Sequence, residues 1–268
     1  MSEHSKNKIQ LIFLSLLPIL FLLSAETALF YSQRYLVTFI AYFSFAVLAC
    51  QLLCHLVFVK GEICNGQRAR LTKANLYLAI YWIGLFIMGA MAEKRYVPLA
   101  LMIVAALLLL VTVWQQPKDD DGLRRATLLF GTICGVLGVL SYMAIMVNLP
   151  LQDWFRYSPF SQILLGLVLA NWLLRLSRNR LQGFIALLPR LMLLTLLCNA
   201  VYCVVVLLLL HFNLILLTVS ITGFVLYFAI HLLLAGFLVW VIMKNKTLDL
   251  ILLSFLLLVT LSFPFLLA

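Results

Sequence analysis

Residues 191–243 read LMLLTLLCNAVYCVVVLLLLHFNLILLTVSITGFVLYFAIHLLLAGFLVWVIM, 53 residues without one Lys, Arg, Asp or Glu. About 20 apolar residues in a helix cross the hydrocarbon core of a bilayer, so this run is more than twice the length of one crossing. Its main polar interruption is His211-Phe212-Asn213. Two long tilted helices joined by a tight turn at that triplet fit best, because a single helix of this length would overshoot any membrane.

Similar apolar runs recur on either side, and about nine spans are drawn, near 9–29, 35–59, 74–91, 96–114, 126–147, 160–174, 191–210, 214–243 and 248–268. Lipid offers no partner to a backbone amide, so each run must be helical. The basic residues fall overwhelmingly on alternate sides. Lys6, Lys8, Lys60, Arg68, Arg70, Lys73, Lys118, Arg124, Arg125, Arg175, Arg178, Arg180, Arg190, Lys244 and Lys246 occupy the odd-numbered connections. The even-numbered ones hold Arg34, Lys94, Arg95 and Arg156, which completes the 19 basic residues. By the positive-inside rule the N-terminus is cytoplasmic and the C-terminus lies outside. The fold expected is an all-α, polytopic transmembrane helix bundle, one integral membrane domain over residues 1–268, in a cell inner membrane of bacterial type.

Composition agrees. Hydrophobic residues make up 65% and charged residues 10% of the 268 positions, and the mean hydropathy is +1.14. Soluble domains average about 45–50% apolar and about 25% charged. A water-soluble globule is excluded, and the spans leave no room for an extramembrane domain. The net charge of +10 is spread over short loops that orient helices, which argues against nucleic acid. The first apolar run outlasts a signal-peptide core and reads as a retained span. Of six cysteines, Cys50, Cys54, Cys134, Cys198 and Cys203 lie in apolar runs and Cys64 in a cytoplasmic loop, so free thiols are expected.

Local signals mark some ends. Ser158-Pro159 offers a capping hydroxyl and a proline at the first helical position of span six. Trp154, Phe155 and Tyr157 before it suit an outer aromatic belt, as Trp114 suits the inner one. Gly131, Gly135 and Gly138 give span five a flat strip for close helix contact.

Ionisable groups inside a bilayer are expensive and mark function first. Glu26 falls about 17 residues into span one, roughly 25 Å along it, near the outer interface where a carboxylate reaches headgroup water. It is a candidate for binding a proton, cation or substrate. His231 lies mid-span in helix eight. Asn171 in span six and Asn199 in span seven suit interhelical hydrogen bonds. These four, Glu26, His231, Asn171 and Asn199, are the candidates for a substrate or ion pathway. Arg175, Arg178 and Arg180, interleaved with Leu181, Phe184 and Ile185, suit a segment lying in the inner headgroup zone, where they would anchor topology or recognise anionic lipids.

No cofactor or metal site is expected. Cys50 and Cys54 share a helical face, but His55 points about 100° away from it. His231 has no histidine partner at its depth for a haem. Asp119-Asp120-Asp121 is a solvated turn. No residue cluster identifies a reaction, so catalysis is not assigned. Architecture alone points to transport of a small or lipid-like molecule, by this chain or by a complex of which it is the membrane subunit. A non-catalytic scaffold or accessory subunit bound to membrane partner subunits is the competing reading. A lipid-modifying membrane enzyme using Glu26 and His211 is the third.

Overall fold

The computed structural model describes residues 3–32, 39–61, 63–92, 96–117, 120–177, 181–212 and 220–267. Among these every regular element is helical, as a chain that must satisfy its own amides in lipid requires. The order is α1 (Glu3–Ser32), α2 (Ser44–Lys60), α3 (Asn65–Leu76), α4 (Leu78–Met91), α5 (Val97–Trp114) and α6 (Asp121–Asn148). A short 3-10 segment (Leu151–Phe155) leads into α7 (Pro159–Leu176), followed by α8 (Gln182–Phe212), α9 (Ile221–Met243) and α10 (Leu250–Leu266). Seven helical stretches are long and apolar enough to cross a membrane, while α2 and α10 are apolar but shorter, 17 residues each.

α2 and α7 form the axis of the bundle. The apolar window within Leu151–Leu176 is 72% buried, against 28% in Gly183–Phe212 and in Ile221–Met243, so α8 and α9 are peripheral. The Phe45 N–H donates to Gln162 Oε1 at 3.0 Å and the Tyr157 O–H to Ile40 O at 3.3 Å, both pairs 117 residues apart. The two axial helices therefore run parallel and in step. Gly166 permits their closeness: a Cβ there would stand 2.8 Å from both Ala46 O and Ala49 Cβ. The glycine strip of α6 serves the same end, with Gly131, Gly135 and Gly138 against His55, Leu52 and Leu48 of an antiparallel α2.

Several sequence expectations are corrected. Span two was drawn from residue 35, yet 39–43 is buried, non-helical chain and α2 starts only at Ser44, because the amides there are bonded elsewhere. The connection after Lys60 holds a helix, α3, whose buried Gln67, Leu71, Ala74 and Asn75 recur at helical spacing. The stretch from Gln182 to Arg190, drawn as a headgroup-zone loop, is the first part of α8, which runs on through Pro189. Ser158 precedes α7 but makes no side-chain cap; its hydroxyl goes to Asn199 instead. Phe155 and Tyr157 do not sit in a belt but are buried, 1% and 3% exposed. The drawn start of span eight, 214–219, the loop arginines Arg178 and Arg180, and Asp119 lie outside the described residues. Asp120 accepts from the Leu123 N–H at 2.9 Å and Asp121 pairs with Arg124 at 2.5 Å, so these two acids start α6.

Candidate functional site

The end of the bundle at which α2 and α7 begin is called upper below. A helix leaves its first amides without intrahelical acceptors. At the start of α2 these needs are met from other helices. Glu26 of α1 takes the Tyr42 N–H on Oε2 at 2.9 Å and the Phe43 N–H on Oε1 at 2.7 Å, and the Tyr81 hydroxyl of α4 donates to Oε1 at 2.8 Å. The carboxylate is fully buried. It is not at headgroup water, as its sequence position suggested, because the 39–43 segment and α4 close over it. No Lys or Arg forms an ion pair with it among the described residues; amides, a phenol and the positive end of α2 hold it.

The network continues through Gln162 of α7. Its Oε1 takes the Phe45 N–H, and its Nε2 donates to the Tyr142 hydroxyl of α6 at 3.1 Å. Tyr142 in turn donates to Tyr157 O at 2.6 Å. The rings stack behind these bonds, Tyr42 on Tyr157 at 4.5 Å and Phe45 on Tyr142 at 4.0 Å between centroids. Five helices are thereby tied around one interruption in the chain. Beside it, a cavity of about 240 Å³ opens between α4 and α5, lined by Phe39, Phe86, Tyr96, Leu99 and Ile103 among others. Its wall is apolar apart from the Tyr96 hydroxyl.

A second cluster joins α7, α8 and α9. The Ser158 hydroxyl donates to Asn199 Oδ1 at 2.5 Å, and Asn199 Nδ2 donates to the Tyr227 hydroxyl at 2.6 Å and to His231 Nε2 at 2.7 Å. His231 Nδ1 lies 2.8 Å from Tyr227 O, a carbonyl that can only accept, so Nδ1 carries the proton and Nε2 accepts. Every polar atom of Asn199 is used. The ring of His231 stacks on Phe263 of α10 at 4.6 Å. This cluster is closed on itself.

The remaining candidates separate. Asn171 is buried with neither amide atom hydrogen-bonded, contrary to the interhelical bond expected of it. Arg175, one turn later on α7, is half-buried, with Nε and Nη2 making no hydrogen bond among the described residues. His55 bonds Leu128 O at 3.0 Å and the Thr132 hydroxyl at 3.1 Å, which ties α2 to α6. His211 is exposed in the last turn of α8, whereas Glu26 is sealed against α2 and α4; the acid and the histidine of the enzyme reading are not brought together. Among the described residues no three His, Cys, Asp or Glu converge as metal ligands. Sequence reasoning missed Tyr81, Tyr142 and Gln162, whose signal was a polar atom placed in an apolar run.

Apolar helices packed around buried polar ties define a multi-pass integral membrane protein. The family model described as an integral membrane domain matches residues 3–268, and the chain belongs to that family. A Haemophilus influenzae protein described as an uncharacterized protein is 37% identical over 239 residues, which cover 89% of this chain and 88% of the relative. No solved structure matches it.

Proposed function

We propose that this chain is a transporter-like protein of the cell inner membrane, moving a small, largely apolar or lipid-like molecule from the leaflet at its upper end. The carrying observation is the buried interruption before α2, held by Glu26 and flanked by the apolar cavity. Non-helical backbone at membrane depth is tolerated where protein buries it or a cavity adjoins it, and interrupted helices with their N-termini turned inward are where transporters bind their cargo. In this reading nine crossings alternate, the N-terminus is cytoplasmic and the upper end is outside. The antiparallel pairing of α8 with α9 and α9 with α10 is consistent with that count. Glu26 is the group whose protonation would release the 39–43 segment, while Asn199 and His231 keep α8 and α9 together and Asn171 adds a buried amide lower in α7.

The test uses proteoliposomes and a short-chain fluorescent fatty acid and phospholipid as probes. Translocation faster than in empty liposomes, and lost with Glu26→Gln and with the cavity-filling Ala100→Phe, supports the reading. Equal rates in all four preparations overturn it. A second reading, an accessory subunit, is favoured by the exposed apolar faces of α8 and α9, where Leu194, Val201, Val225 and Leu232 are at least half exposed. A stoichiometric partner retained in mild detergent, together with no translocation, would select it.

A further inference from the structure

The lower end holds a second cavity, about 300 Å³, between α3 and the end of α5. Arg68, Thr72, Lys73 and Leu76 of α3 form one wall, and Trp114 and Gln116 lie across from it. Two features of its wall are unspent. Among the described residues Arg68 Nε is buried with no hydrogen-bond partner, and so is Gln116 Oε1, whose own Nε2 donates to Val113 O at 3.0 Å. Among the described residues no acid forms an ion pair with Arg68 or Lys73. Arg124 and Asp121, both within electrostatic reach of Arg68, are paired with each other, and Arg70 turns away to donate to Ser177 O at 2.9 Å. Among the described residues Lys73 has no acidic partner.

Among the described residues the cavity thus carries two cations without an ion-pair partner, Arg68 and Lys73, with apolar side chains at Leu76 and Trp114. Trp114 is 61% exposed at the end of an apolar helix, the depth at which indoles meet headgroups. We propose that this cavity binds an anionic phospholipid, with phosphatidylglycerol as the probe. The phosphate sits between Arg68 and Lys73, and the acyl chains leave past Leu76 and Trp114. Charge selects an anion over zwitterionic phosphatidylcholine. The site is independent of the upper cavity and of transport.

Native mass spectrometry of the delipidated, detergent-solubilised protein tests it, with phosphatidylglycerol, phosphatidylcholine and sn-glycerol 3-phosphate as separate titrants. One phosphatidylglycerol adduct at least ten-fold tighter than phosphatidylcholine is expected. Arg68→Gln with Lys73→Gln brings it to the phosphatidylcholine level, and Lys244→Gln with Lys246→Gln leaves it unchanged. Should the double variant not fold, the exposed Lys73→Gln alone weakens the adduct three-fold or more. Equal binding of the two lipids, or retention of the adduct in the Arg68 and Lys73 variants, overturns the proposal. Displacement of the lipid by sn-glycerol 3-phosphate at comparable concentration also overturns it, and would assign the cavity to a soluble phosphate ester.

Discussion

Glu26 accepts from three donors and, among the described residues, pairs with no cation, so its replacement is costly in a graded way. Glu26→Gln keeps one acceptor oxygen and turns the other into a donor facing an N–H, an expected loss of about 1–3 kcal/mol. Glu26→Leu orphans all three donors and should lose more; Tyr81→Phe removes a single bond and should cost about 1 kcal/mol. Unfolding of the detergent-solubilised protein by titrated denaturing detergent measures all three, and a rank order other than Leu, Gln, Phe would mean that these bonds do not carry the segment. Asn199→Ala breaks three bonds that in membrane proteins average about 0.6 kcal/mol each, an expected loss of about 2 kcal/mol by the same measurement. Cys64 is an exposed thiol just before α3, and the Gln67 N–H, its largest influence, holds it below the usual thiol range, with the Gly66 N–H and Arg70 adding to this. A lowered thiol gives more thiolate at a given pH. Alkylation by a water-soluble maleimide should therefore outpace that of the same cysteine in the denatured chain near neutral pH, the advantage vanishing as pH rises past the ordinary thiol range, where both are fully ionised. Glu26 was legible in the sequence as a costly intramembrane acid. Its partners were not, because Tyr42, Phe43 and Tyr81 offer an amide or a phenol, groups every span contains.

At the scale of elements, what decides stability is how closely helices approach. Gly166→Val pushes side-chain atoms into Ala46 O and Ala49 of α2 and should destabilise by about 1–3 kcal/mol, as overpacking does. Gly236→Ala is the matched control: a Cβ there meets nothing within 4 Å, and removing a mid-helix glycine should be neutral or stabilise by up to about 1 kcal/mol. Equal effects of the two would mean that α2 and α7 are not in contact at Gly166. The glycines of α6 were readable from their spacing because a flat strip has one use in a membrane helix. The late start of α2 was not readable. Its preceding residues, FIAYF at 39–43, are as apolar as any span, and only the Glu26 carboxylate of α1 draws the Tyr42 and Phe43 amides out of a helix. α3 escaped notice for the opposite reason, since a polar helix buried along one stripe resembles a loop in hydropathy.

For the whole molecule, the crossings were plain because dehydrating charge is the largest single cost in this chain, and it acts residue by residue without reference to tertiary structure. Which helices lie at the centre was not plain, since α7 is less apolar than α9 and yet the more buried of the two, the reverse of what hydropathy alone suggests. The proposed topology predicts that a cytoplasm-restricted reporter is active when fused at the N-terminus and inactive at the C-terminus, and that Cys64 is protected from impermeant reagent in intact cells. Active reporters at both ends would refute the nine-crossing count. The fixed separation of 117 residues between the start of α2 and its bond acceptor on α7 also bears on how the protein is made. At about 5–20 residues per second, a ribosome needs roughly 6 to 23 s to deliver Gln162 after Phe45 has emerged. Over that interval a 17-residue helix waits without its neighbour, so nascent chains stalled short of α7 should be prime substrates for the membrane's quality-control proteases.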